Sequence, residues 1–344
     1  MKKVGICGHF GKNQINGQTI KTKEVTKELV KQLGRDQVMK VDTSEWRHKP
    51  HILIFNLIKL LRKCENIVVF PAHNGVRVFI PLLSILNYFS KRRLHYVVIG
   101  GWLPEMVEIK KSLKPHLRRF EKIYVETNIL KVKLLMKGLS NVEVMPNFKA
   151  SDPSSIVEAN LNLEKPYQFC FFARVIPDKG IEDAIDAIHV LNSKAKEKLC
   201  HLDVFGPINE EYRLRLNEII SSSNEDVEYK GVLSPQKTGT VLQKYYMQIF
   251  PTKFYTEGLP GSIIDSYFAG LPVLASKWES FHDVIVEGET GVGYAFNDSI
   301  ALLRKLEWVI QNPDKIYQMR QKCQTKALQY SSDVVSKILI ANLK

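Results

Sequence analysis

Short apolar, β-branched runs alternate along this chain with longer stretches whose apolar positions recur every three to four residues. The first run, Val4-Gly-Ile-Cys7, is followed by a glycine-bearing loop. Ile20, Val25, Leu29 and Leu33 then mark one helical face that stops at Gly34. The same reading predicts strands over 38–41, 66–70, 96–100, 122–126 and 142–145, with helices over 51–63, 76–89, 105–120 and 130–137. Pro115 should break or kink the stretch 105–120. Beyond Ser151-Asp-Pro-Ser-Ser155, linker-like in composition, strands are predicted over 167–172, 202–205, 227–229, 248–250, 273–275 and 291–294. Helices over 180–192, 210–221, 234–242, 280–286, 299–311, 313–329 and 332–343 fill the intervals. Such alternation means parallel sheets with helices on both faces, an α/β architecture.

A length of 344 residues suggests two domains. The five cysteines are scattered, with no Cys-x-x-Cys, which points to a reducing compartment and away from structural zinc. Met1-Lys-Lys precedes too short an apolar run for a secretory core, and the apolar stretch 78–89 is too short to span a bilayer. A soluble, non-transmembrane protein is expected. Charge changes the picture more. Residues 1–150 hold 28 Lys and Arg against 11 Asp and Glu, a balance of +17; the rest hold 21 against 25, a balance of −4. A negatively charged partner meeting the first half is implied: nucleic acid, an anionic membrane or a pyrophosphate-bearing acceptor.

The chemistry concentrates in the second half. Tyr245-Tyr-Met-Gln-Ile-Phe-Pro251 reads as a buried strand, and the loop after it carries Glu257-Gly-Leu-Pro-Gly-Ser-Ile-Ile-Asp265. Pro260 suits the first position of a helix and Gly270 its stop. Free N–H groups at that start, with the helix dipole behind them, favour an anion. An acid at each end of such a cradle fits hydroxyls beside phosphates, as in a nucleotide-sugar. A second strand ends in Phe171-Phe-Ala-Arg174 and runs on to Lys179-Gly180, placing two cations five residues apart before a helix. Glycines also follow strands in Asp203-Val-Phe-Gly206-Pro207 and Tyr229-Lys-Gly231-Val232-Leu233. The amino-terminal loop around Asn16-Gly17-Gln18 has neither the dinucleotide fingerprint nor a Walker A sequence.

Glu257 with Gly258-Leu259-Pro260, then Gly270-Leu271-Pro272-Val273, resembles the signature of the retaining GT-B glycosyltransferases, specifically the family 4 type that includes bacterial capsule and exopolysaccharide enzymes. Arg174-x4-Lys179-Gly180 is similar to a second signature of that family, and the resemblance covers nearly the whole chain. It implies two Rossmann-like domains with parallel sheets facing across a cleft and a last helix crossing back to the first domain. The boundaries would be 1–149 with 332–344 for an acceptor-side domain and 150–331 for a nucleotide-sugar-binding domain. It implies Arg174, Lys179 and Glu257 as catalytic residues, the two cations holding the donor diphosphate and Glu257 lying by the donor sugar. Gly17, Gln18, Gly206, Val232, Gly258, Leu259 and Pro260 would line the donor, and Asp265 would bind the ribose hydroxyls. No cofactor and no metal are expected. Two departures stand out: Asp265 replaces the family's second Glu, and Val97-Val-Ile-Gly100-Gly101-Trp102 lacks a histidine that many members carry.

For the acceptor side, His73, Glu105 and Glu126 stand at strand or loop ends. Basic residues interleave with apolar ones over 51–63 and 108–122, the pattern of helices that lie on an anionic membrane. The resulting expectation is transfer of a sugar from a nucleotide-sugar to a lipid-linked saccharide in capsule, exopolysaccharide or cell-surface glycan synthesis. The protein would be cytoplasmic and peripheral on the inner face of the plasma membrane. Rival readings are a catalytically weak accessory relative and a nucleotide-sugar 2-epimerase. Nucleic acid is not an expected partner, since interleaved aromatic motifs are lacking.

Overall fold

The computed structural model describes residues 1–11, 17–150, 165–223 and 225–343. The proposed Asn16 position and the linker 151–155 lie outside them. The chain divides into two units, Met1–Ala150 with Ser331–Lys344, and Ser151–Tyr330.

In the first unit six strands form one parallel sheet: β1 (Lys2–Gly8), β2 (Val38–Asp42), β3 (Cys64–Val69), β4 (Arg93–Val97), β5 (Lys122–Val125) and β6 (Val142–Val144). Their order is β2-β1-β3-β4-β5-β6, with Val4 of β1 opposite Val38 and Asn66. Helices α1 (Gly17–Leu33), α2 (Pro50–Lys63), α3 (Val76–Ser90), α4 (Leu103–Ile109), α5 (Leu113–Leu117) and α6 (Asn128–Met136) connect them. Strands buried on both faces must be apolar almost throughout, which is why they read as continuous runs in the sequence. One sheet face packs against α2 to α6 through Leu57, Leu60, Ile80, Leu83, Leu117 and Leu134. The other packs against Val25 and Leu29 of α1 and the chain's closing helix.

The second sheet comprises β7 (Tyr167–Phe172), β8 (Cys200–Phe205), β9 (Val227–Gly231), β10 (Met247–Phe250), β11 (Val273–Ser276) and β12 (Gly291–Tyr294), ordered β12-β11-β10-β7-β8-β9 and again parallel. Its helices are α7 (Ile181–Ala195), α8 (Glu210–Ser221), α9 (Pro235–Leu242), α10 (Gly261–Phe268), α11 (Phe281–Val284), α12 (Ser299–Gln311) and α13 (Pro313–Ala327). The closing helix α14 (Ser332–Ala341) belongs to the first unit. Ser332 N–H donates to Lys149 O, and Val335 and Leu339 join the α1 core.

Two elements differ from the sequence expectation for physical reasons. β4 begins at Arg93, three residues before the apolar run that marks it in the sequence. His95 is fully buried in this central strand because Asn66 Oδ1 stands 3.2 Å from its Nε2 and the Tyr124 hydroxyl 3.4 Å from its Nδ1. The stretch 105–120 is not one helix broken at Pro115. The break falls at Lys110–Ser112, between α4 and α5. Pro115 sits in the first turn of α5, where its missing N–H forfeits no helical hydrogen bond. Ile109 is therefore exposed, while Leu113, Leu117 and Phe120 are buried.

Candidate functional site

The chain leaves β7 towards β8 and β9 and then returns to β10 on the other side of β7. Strand order reverses there, and open α/β sheets bind ligands outside the carboxyl ends of the strands at such a point. Arg174 stands two residues beyond β7, Lys179 closes the one-turn 3₁₀ helix Pro177–Lys179, and Glu257 lies in the loop after β10. Backbone hydrogen bonds fix the Arg174 loop on both sides: Ala173 N–H donates to Phe205 O at 3.2 Å and Val175 N–H to Pro207 O at 2.9 Å. Two glycines permit this approach. Gly206 has φ 145° and a Cβ there would stand 1.7 Å from Ala173 O; Gly180 has φ 74° and its Cβ would stand 2.0 Å from Pro251 O. Only a residue without a side chain joins the β7 loop to the ends of β8 and β10 in this way.

Lys179 is the fixed point of the site. It is only 7% exposed, its ammonium pairs with the Glu257 carboxylate, and the rings of Phe250 and Phe254 lie 5.4 and 5.1 Å from its Nζ. Glu257 Oε2 also accepts from the Thr252 hydroxyl at 3.3 Å, and Thr252 Oγ1 in turn accepts from Phe254 N–H at 3.2 Å. An ammonium has three N–H donors, so Glu257 leaves two for a ligand. Arg174 is exposed and forms no ion pair with a described residue. One cation is paired and buried, and the other stands exposed.

Gly258, Leu259 and Pro260 are buried beside them. Pro260 caps α10 with φ −65° and ψ 128°, one residue earlier than the sequence placed it, and the helix begins at Gly261. Asp265 is half-buried one turn into α10, which ends before Gly270 at φ 64°. The Gly206 carbonyl accepts from the Tyr229 hydroxyl at 2.8 Å, and Val232 is exposed just beyond β9. Asp203 takes hydrogen bonds from Tyr245 OH at 2.5 Å and His201 Nε2 at 3.2 Å. Burial pushes its carboxyl up, but these two bonds together with the nearby Lys230 and His201 charges hold the group below the usual carboxylate range. His201, Asp203 and Glu228 bring three potential metal-ligand atoms within 4.8 Å of one another, yet the Lys230 ammonium already pairs with Glu228 and lies 3.8 Å from Asp203.

The first unit has its own reversal, between β1 and β3. A cavity of about 240 Å³ opens there, lined among others by His9, Gln18, Trp46, Arg47, His73 and Phe79. Gln18 Nε2 donates to Phe70 O at 2.7 Å and ties the start of α1 to the end of β3; Gly17 beside it is exposed. His73 meets the edge of Trp102 with ring centroids 5.2 Å apart, so the loop lacking the family's histidine has one packed against it. Glu105 is exposed on the first turn of α4. Glu126 is turned inward, 5% exposed, with its Oε1 3.2 Å from Lys21 Nζ. Burial pushes the Lys21 pKa down, and the Glu126 carboxylate beside it offsets part of that. Sequence reasoning missed Lys21, Thr252, Phe254, Trp46 and Arg47. For Lys21 a signal existed, since a lysine heads the apolar stripe Val25 and Leu29.

The sequence matches the family described as glycosyl transferases group 1 over residues 152–329. It is 23% identical over 253 residues to an uncharacterized glycosyltransferase of Methanocaldococcus jannaschii, covering 67% of this chain and 62% of that protein's length. Anabaena HepE solved with UDP superposes with a TM-score of 0.77 at 15% identity, covering 100% of this chain and 99% of HepE. HepE solved with UDP-glucose gives 0.74 at 14%, covering 99% and 98%. The lipopolysaccharide outer core galactosyltransferase WaaB gives 0.72 at 12%, covering 100% and 99%. Two six-stranded parallel sheets and these neighbours identify the GT-B fold.

Proposed function

The chain belongs to the glycosyl transferases group 1, and from that membership we propose that it moves a sugar from a nucleotide-sugar to a saccharide hydroxyl, with retention at the anomeric carbon, as a family 4 enzyme of the hexosyltransferase type. The observation that carries this reading is the Lys179–Glu257 pair at the β7/β10 reversal with the exposed Arg174 on the same loop. Breaking the sugar–oxygen bond moves negative charge onto the leaving diphosphate. Lys179, already oriented, and Arg174, swinging in, stabilise that charge more in the transition state than in the bound donor. The first amides of α10 add partial positive charge. Asp265 accepts from ribose hydroxyls, and Glu257 faces the sugar while holding Lys179. Charge stabilisation by side chains makes a metal unnecessary in this scheme. The HepE complexes make UDP-glucose the first donor to test.

The acceptor is assigned to the first unit. Its cavity combines aromatic rings, which stack on sugars, with the Arg47 guanidinium, which suits the phosphate of a lipid-linked saccharide. Capsule, exopolysaccharide or lipopolysaccharide assembly at the inner face of the plasma membrane is the setting this acceptor implies. A thermal-shift screen of nucleotide-sugars followed by a transfer assay tests the reading. A raised Tm and sugar-dependent product with at least one donor are expected; no shift and no donor hydrolysis across the panel would refute it.

A further inference from the structure

In the first unit α3 packs between α2 and α5, and all three bury one side on the same sheet face. Their outward sides carry large apolar groups in solvent. On α3, Val78, Ile85 and Phe89 recur at helical spacing with Leu82, and Tyr88 stands beside them. Ile85 is 57% exposed, Tyr88 70% and Phe89 88%, the two rings meeting edge to face at 5.3 Å. Ile52 and Phe55 continue the apolar surface on α2, and Ile109 does so ahead of α5. A ring as exposed as Phe89 contributes nothing to the fold, so an apolar partner is the physical use for it.

The charge around these side chains identifies the partner. From Trp46 to Pro104 the chain has nine Lys and Arg and a single acid, Glu65. Lys59, Arg62 and Lys63 lie exposed at the end of α2, Lys91 and Arg93 just beyond α3, and Lys110 and Lys111 at the turn before α5. On α2 and α3 the exposed apolar side chains are ringed by cations, and Glu108 beside Ile109 and Lys111 is the carboxylate at the α4 edge; this excess of positive charge matches an anionic bilayer, which offers acyl chains behind a layer of negative headgroups. A protein partner of ordinary composition would not demand so large an excess of one sign. We propose that this face docks on anionic membrane, with Tyr88 and Phe89 at the end of α3 entering the headgroup–acyl boundary and the cations of α2 and of the turn before α5 holding headgroups around them. The sequence located cations on the two flanking segments; the apolar centre, on α3, emerges only in the fold. Docking of this kind is independent of what either strand reversal binds.

The five native cysteines are buried, so a thiol-reactive, polarity-sensitive dye placed by Phe89→Cys reports on that position alone. Its emission should shift to the blue with phosphatidylglycerol–phosphatidylcholine vesicles and stay unchanged with phosphatidylcholine vesicles. Sedimentation should show binding to the anionic vesicles that falls with salt, leaving a fraction bound at about 1 M, where charges are screened beyond ~3 Å. The double variant Tyr88→Ser with Phe89→Ser should keep the wild-type Tm and lose roughly tenfold in vesicle affinity, with the salt-resistant fraction gone. Lys59, Lys63, Lys110 and Lys111 changed together to Glu should abolish low-salt binding. No dye shift with anionic vesicles, equal binding to neutral ones, or an unchanged Tyr88/Phe89 double variant would overturn the proposal. A concentration-dependent dimer abolished by the same double variant, with no vesicle binding, would assign the face to a protein contact instead.

Discussion

Each unit is a six-stranded parallel sheet whose order reverses beside its first strand, yet the two reversals are furnished oppositely. At β7/β10 the loops are pinned by backbone hydrogen bonds and two glycine contacts, and a lysine is locked by a carboxylate and two rings. At β1/β3 there is a cavity with aromatic walls, two histidines, an exposed arginine and no carboxylate among the residues lining it. One topology thus supports a buried, paired charge site in one copy and an aromatic-lined cavity in the other. What differs is the loops, since the strands of both copies are interchangeable in character. The lesson is that the fold supplies the place and the loop residues supply the chemistry.

That contrast can be broken from either side. In the first unit the buried polar groups are structural, so the largest expected effect there is on stability. Lys21→Ala removes the ammonium that faces the buried Glu126 carboxylate and should cost about 3–5 kcal/mol in urea unfolding. Lys21→Met combined with Glu126→Leu should recover most of it; equal loss in the double variant would contradict an origin in the buried charge left behind. In the second unit the equivalent vulnerability is loop geometry. Gly206→Ala puts a methyl against Ala173 O and should destabilise by at least about 2 kcal/mol, as read from its urea midpoint.

A comparable effect in the first unit follows from pH. Burial lowers His95 from 6.5 to about 4, so between these values the unfolded chain binds a proton that the folded chain refuses. Stability from this group is full above pH 6.5 and is lost as pH falls, by about 2 kcal/mol between pH 7 and 5. His95→Gln should flatten the profile over that interval. An unchanged slope would show that His95 is not its source. The smallest effect concerns metal. With cations supplied by Arg174 and Lys179, excess EDTA should leave turnover within about twofold; loss restored by Mn²⁺ would refute the side-chain scheme.

Strands and most helices were legible because burial on two faces forces apolar runs and burial on one forces a helical stripe. Of the candidate site, the sequence showed the positions where a residue type is compulsory, Gly180 and Gly206, and the charged Lys179 and Glu257 that the fold brings together. Partners brought together from distant segments were not. Nothing local announces that Phe250 and Phe254 flank Lys179, or that Glu126 turns inward to Lys21. The start of β4 was missed because a buried histidine satisfied across strands reads locally as a polar loop residue. The break before α5 was missed because Pro115 is harmless in a first turn, which requires knowing where the helix begins.

The distinction between the two reversals is tested most directly by one paired measurement: hydrolysis of UDP-glucose, or whichever donor raises Tm, without acceptor by Arg174→Ala and Arg47→Ala. Both arginines are exposed, so neither change should alter folding. Arg174→Ala should lower hydrolysis by about 10²-fold or more, the loss of one transition-state charge contact, while Arg47→Ala stays near wild type. Near-normal hydrolysis by Arg174→Ala, or an equal fall in both variants, would contradict the assignment of donor chemistry to the second unit.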